Sequence, residues 1–195
     1  MTQQTLETIL ILASELFFIS ANASQLIKLI RTRNRKGLSA VNQSLNASGN
    51  AAWMTYFISI QRLLPTVTNA IMLLITVAML AFTLADRTKF AKGIVAVIGI
   101  GGLISLSIIY FPQYAGWVGV LCNLAAMTPW VVHILHTKKT SGISDKYIFL
   151  SLGAIACNFT YAILIQSAPV LTGALIGIIG NLMVLFLYYK YRNRR

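Results

Sequence analysis

Few side chains in this 195-residue sequence can do acid–base, nucleophilic or metal chemistry. The acidic residues are Glu7, Glu15, Asp86 and Asp145, and only Glu15 stands deep in an apolar run. An ionised carboxylate at such depth costs about 2.5–3.5 kcal/mol on insertion scales. Glu15 must therefore be protonated or paired. It is a candidate for proton coupling, and equally a protonated carboxyl bonded to a neighbouring helix. His133 and His136 stand at i and i+3 near the end of an apolar run, with no further ligands at hand, so metal binding is not expected. Cys122 and Cys157 lie in apolar segments without zinc spacing and read as small packing residues. There is no nucleophile–base pair, metal set or phosphate-binding glycine loop. An enzyme is not expected, nor any cofactor.

These residues have to be positioned by membrane helices. The chain is 57% hydrophobic and 10% charged, more apolar than a soluble domain of this size can bury. A spanning helix needs about 20 mainly apolar residues. Seven such spans are predicted, over 6–30, 38–60, 65–85, 93–111, 114–136, 146–165 and 169–189. The second carries Asn42, Gln43, Ser44, Asn46, Ser48 and Asn50, and a helix this polar must face protein or water. The first lacks a basic leader and a small-residue cleavage site, so it is expected to insert and stay. The Asn-x-Ser/Thr triplets at Asn22, Asn42, Asn46 and Asn158 fall inside spans and are not read as glycosylated.

Basic residues alternate in side. Arg31, Arg33, Arg35 and Lys36 follow the first span, Arg87, Lys89 and Lys92 the third, and Lys138, Lys139 and Lys146 the fifth. Lys190, Arg192, Arg194 and Arg195 end the chain, while the opposite side holds only Arg62. Positive charge in short loops stays cytoplasmic. The N-terminus is therefore expected outside and the C-terminus in the cytoplasm, in a multi-pass protein of the cell's inner membrane. The net charge of +12 then meets anionic lipid rather than nucleic acid.

The sequence also repeats. Residues 24–39 align with 129–144 at an offset of 105, pairing Ile30 with Leu135, Thr32 with Thr137, Gly37 with Gly142 and Ser39 with Ser144. The register continues through Thr55/Thr160, Tyr56/Tyr161, Ile58/Ile163 and Gln61/Gln166, and after one slipped residue pairs Pro65 with Pro169. Two copies of a three-helix unit are expected, 1–85 and 112–195, joined by a linker helix in 86–111. The odd linker helix keeps both copies facing the same way. Parallel repeats of this kind are a transporter architecture.

This 3+1+3 plan, with a motif at the end of the first helix of each unit, resembles the PQ-loop superfamily, above all the SWEET and SemiSWEET sugar transporters. The likeness runs over nearly the whole chain. Its best local match is Thr128-Pro129-Trp130 followed by Lys139-Thr140-Ser141, with Ser39, Trp53, Tyr56, Pro65 and Asn69 at family spacing in the first copy. The motif dipeptide reads Ser24-Gln25 in one copy and Pro129-Trp130 in the other, so neither is Pro-Gln. In the family that proline is held to be a hinge. The resemblance thus implies hinging at Pro129 but not at Ser24, because proline deletes a backbone hydrogen bond and clashes with the preceding turn.

The resemblance also implies a sugar site between the units, from an aromatic residue on the second helix and an asparagine on the third. Trp53 and Asn69 fit these positions, with Asn50 and Asn123 as further candidates. An indole stacks on the apolar face of a pyranose, and an amide offers donor and acceptor to hydroxyls. The competing reading makes Trp53 an interfacial anchor and Asn69 a helix–helix bond. In the second copy Asn158 replaces Trp53, and Gly173 replaces the asparagine. Tyr56 and Tyr161, one turn further out, are candidates for an extracellular gate or ordinary interfacial tyrosines. Gly173, Gly177 and Gly180 line the seventh span as packing glycines.

The function so implied is alternating-access transport of a small neutral polar solute, a sugar first of all, moving down its gradient. Proton-coupled transport of an amino acid or other metabolite is the alternative, with Glu15 as the coupling group. A ligand receptor of the same fold is the third reading. It would need charged cavity residues, and the spans offer only Glu15. The expected partners are solute and lipid, and homo-oligomers are compatible with the sequence.

Overall fold

The computed structural model describes residues 2–32, 40–85, 109–111, 114–138, 140 and 145–191. Among them the chain forms six long helices and no strand: α1 (Gln3–Thr32), α2 (Ala40–Ser59), α3 (Leu63–Leu84), α4 (Ala115–Thr137), α5 (Asp145–Leu164) and α6 (Ala168–Tyr191). They match the expected spans to within three residues at each end. The fourth expected span lies outside the described residues except for its last three. Among the described residues, four helices are long and apolar enough to cross a membrane: α1, α3, α6 and the Lys146–Leu164 portion of α5. The polar α2 falls short of that measure. Large apolar side chains such as Leu63, Leu74, Leu121 and Phe186 point outward, as a lipid-facing surface requires.

The packing follows a two-fold pattern. α3 lies against both α1 and α2, and α6 against both α4 and α5. The two trios then meet through two seams, α1 on α5 and α2 on α4. Among the described residues these pairings close a ring in the order α1–α3–α2–α4–α6–α5. Each pairing has a counterpart when the trios are exchanged. α1 and α4 stand opposite in the ring and do not pack on each other.

The turns that hold α2 to α3 and α5 to α6 are near copies. Arg62 N–H donates to the Phe57 carbonyl (2.9 Å), and Ser167 N–H to that of Ala162 (3.2 Å). Gln61 N–H reaches the Ile58 carbonyl, and Gln166 N–H that of Ile163. Both are Schellman closures, which need a left-handed residue just past the helix. Here that residue is glutamine, with φ 56° at Gln61 and 52° at Gln166. A non-glycine residue there costs about 1–2 kcal/mol. The same strain in both copies shows that the repeat register extends to backbone conformation. Proline follows within the first turn of the next helix, at Pro65 and Pro169, where its missing N–H costs nothing.

These turns lie at one end of the bundle, here the turn end. Gln3 at the start of α1 reaches the Leu164 carbonyl there (3.5 Å), and Arg62 pairs with Glu7 (3.3 Å). Among the described residues, Arg31, Lys138, Lys146 and Lys190 stand at the opposite ends of their helices.

Candidate functional site

The face of α2 that meets α4 carries Asn42, Gly49, Trp53 and Tyr56, spaced at helical periods. Across from it α4 presents Gly116, Gly119, Cys122 and Asn123. Trp53 is 8% exposed and belongs to a core with Phe57, Val120, Ala162 and Val170, residues of both trios. Its ring lies 5.9 Å from Phe57 in a stacked arrangement and 5.9 Å from Tyr56 edge-on. A Cβ at Gly119 would fall 2.8 Å from indole Cε2 and Nε1, and one at Gly173 3.0 Å from Cζ2. The indole therefore fills a slot between α4 and α6 that only glycine backbone leaves open.

Further toward the turn end, the Tyr56 hydroxyl is 2.7 Å from that of Ser167, which also accepts the Val170 N–H as the N-cap of α6. Gly116 lets Pro169 and Tyr56 approach; a Cβ there would be 2.9 Å from each. Toward the basic end, Gly49 faces Cys122 Cβ at 3.1 Å and the Asn123 amide oxygen at 3.3 Å, measured from a built Cβ. Asn42 donates to the Ala126 carbonyl and accepts from Gln43 (3.2 Å) and Asn46 (3.1 Å). Gln43 is 5% exposed, and its amide oxygen has no partner among the described residues.

The remaining expected residues are dispersed. Asn50 donates to Thr76 of α3 (3.4 Å), and Asn69 to the Pro65 carbonyl of its own helix (2.8 Å). Asn158 is half-buried on α5, and Tyr161 is almost wholly buried within electrostatic reach of Arg62 and Glu7. The Ser24 hydroxyl bonds the Ala21 carbonyl in its own helix (2.7 Å), and Gln25 is half-buried. The α4 backbone stays helical through Pro129 and Trp130. Glu15 is half-buried on α1 and faces Thr68 of α3. Thus Trp53, Tyr56 and Asn123 come together at one seam, while Asn50 turns to α3 and Asn69 to its own backbone.

The α1–α5 seam is built differently. Ser14 is fully buried and donates to the Ala154 carbonyl across the seam (3.0 Å), and Phe17 covers Gly153. By the offset of 105, Ser14 is the counterpart of Gly119. Sequence reasoning passed over Ser14, Ser167, Gly116 and Gly119. The repeat register was the signal that would have found the last, since it sets Gly119 opposite Ser14 in the alignment. The three α6 glycines serve different neighbours: Gly173 meets Trp53, Gly177 meets Ile155, and Gly180 meets Met127.

No family model and no curated protein match this chain. Among solved structures, the fold is similar to that of a eukaryotic SWEET transporter, with a TM-score of 0.73. The superposition covers 97% of this chain and 98% of that one, at 15% sequence identity. The chain is thus an all-α, multi-pass membrane protein with the seven-helix SWEET fold. The likeness is one of fold.

Proposed function

We propose that the chain is a membrane transporter of a small neutral polar solute, a sugar by preference, working by alternating access. Its halves are residues 1–85 and 112–195, joined through 86–111, and its turn end faces outside because positive charge collects at the other end. One observation carries this reading: a buried indole sits at a seam between two three-helix units of a transporter fold, with the Asn123 and Asn42 amides further along the same seam. Rings and amides, without fixed charge, suit a polyol rather than an ion. Purified protein in liposomes, tested with labelled glucose and sucrose, checks it. Uptake should saturate, run down the gradient and fall sharply in Trp53→Phe, which keeps most of the packing volume. Binding of sugar without uptake would turn the reading toward a receptor.

A second reading couples transport to a proton. It draws support from Glu15, which faces the neutral Thr68 and forms no ion pair with a described residue. The one ion pair among the described residues joins Glu7 and Arg62. A membrane-depth carboxyl held this way can exchange a proton as its surroundings open to water. Coupling predicts pH-dependent uptake that Glu15→Gln makes pH-independent; unchanged pH dependence in that variant discards it.

A further inference from the structure

We infer that Gly119 and Gly173 are positioning residues of the transport cycle: they form the slot into which Trp53 inserts to close the turn end. The inference rests on the transporter reading and deepens it, by assigning a task to two residues that carry no functional group.

The argument starts from complementarity within the chain. Where α2 has Trp53, the facing helices have Gly119 and Gly173. At the equivalent places of the other trio, Asn158 has replaced the tryptophan, and Ser14 and Asn69 stand where those glycines would be. Large is matched with absent, and small polar with small polar. The contacts explain why. The built Cβ of Gly119 lies 2.8–2.9 Å from Cε2, Nε1 and Cδ2, atoms spread over the indole, so the helix backbone lies against the ring itself. Real Cβ atoms do not approach so closely, and the neighbours here are atoms of a rigid ring rather than the tip of a flexible chain. Gly173 adds a second wall at Cζ2, 3.0 Å away.

A pyranose that stacks on an indole needs a ring face. The face toward Gly119 is already covered. Filling the slot and stacking a sugar on that face therefore exclude each other. The Tyr56–Ser167 bond and the Gly116–Pro169 contact lie one turn further out on the same seam, so they close with the slot and open with it. Solute occupancy is thereby linked to an open turn end through one side chain. The two states compete for the same indole surface, which is how a ligand shifts a conformational equilibrium.

A native thiol reports the seam. Cys122 is 4% exposed and lies against Gly49 one turn deeper than Gly119. In a Cys157→Ser background it is the only cysteine. Labelling with a membrane-impermeant thiol reagent from the turn-end side should be slow in this parent. Gly119→Ala, which overpacks the slot, should raise the rate about tenfold or more. Gly173→Ala should act in the same direction more mildly, which keeps the test usable if Gly119→Ala folds poorly. In a Trp53→Ala background neither glycine substitution should change the rate further, because the clash has lost its partner. A labelling rate in both glycine variants equal to the parent's overturns the inference. So does an increase that persists undiminished without Trp53. The labelling is read apart from uptake: if no sugar moves yet the slot behaves as stated, the transport reading fails while the closure of the turn end by Trp53 stands.

Discussion

The two seams between the trios occupy equivalent places in the helix pairing and differ in chemistry. The α1–α5 seam is closed by a buried serine on a backbone carbonyl and by Phe17 over Gly153. The α2–α4 seam is closed by an indole in a glycine slot and by a tyrosine–serine bond. The serine contact is local and directional, and each partner stays satisfied only while the helices touch. The indole contact is broad and apolar on one side, with amides nearby. Under the proposed function, only the second offers a surface that a solute would use in place of the closing contact. On the proposed transport reading, a two-fold fold with one chemically equipped seam has a pivot and a gate rather than two equivalent gates.

The comparison breaks most visibly at Trp53. Trp53→Ala removes a buried aromatic and should cost about 3–5 kcal/mol of stability, along with most sugar uptake. Thermal unfolding in detergent beside liposome uptake checks both. If Asn158→Ala lowers uptake as much, the seams are functionally alike and the distinction fails. Next in size is Gly119→Ala, with a loss of about 1–3 kcal/mol from overpacking. Its counterpart Ser14→Ala should cost only about 0.6–1 kcal/mol, the value of one membrane hydrogen bond. Unfolding midpoints of the two variants rank them. Tyr56→Phe keeps the ring against Gly116 and loses only the Ser167 bond, so it should cost about 0.5–1 kcal/mol while raising turn-end thiol labelling slightly. The smallest effect is expected at the half-exposed Arg62–Glu7 pair, where Arg62→Gln should change stability by at most about 1 kcal/mol, and less in high salt.

Much of the fold was legible beforehand. The spans came from apolar runs, and their ends fell close to the observed helices because lipid thickness sets a narrow range of lengths. The repeat alignment placed Gln61 with Gln166, and the backbone repeats that match with the same left-handed turn. The site was legible only in part. Trp53 and Tyr56 stand out by type, and they do meet at a trio seam. Asn69 fits a motif spacing, yet its amide turns to Pro65 of its own helix. Short polar side chains have such local partners always within reach, so their type does not say where they point. The glycines that matter most here have no side chain to attract notice, and their role exists only in what stands opposite them.

Hydropathy and charge alone determine that this chain is a multi-spanning membrane protein, with its basic segments expected on one side. Those features reflect each segment's own free energy in lipid or water, which depends on composition along the chain. Tertiary structure decided the rest. It set α3 between α1 and α2, made the seams α1–α5 and α2–α4, and brought Trp53 of one trio against Gly119 and Gly173 of the other. Lipid is as apolar as the helices, so helix pairing within it is chosen by close fit and hydrogen bonds between distant residues. The feature opened by residue-level chemistry, an indole and amides without charge, became a candidate gate only once its glycine slot was known.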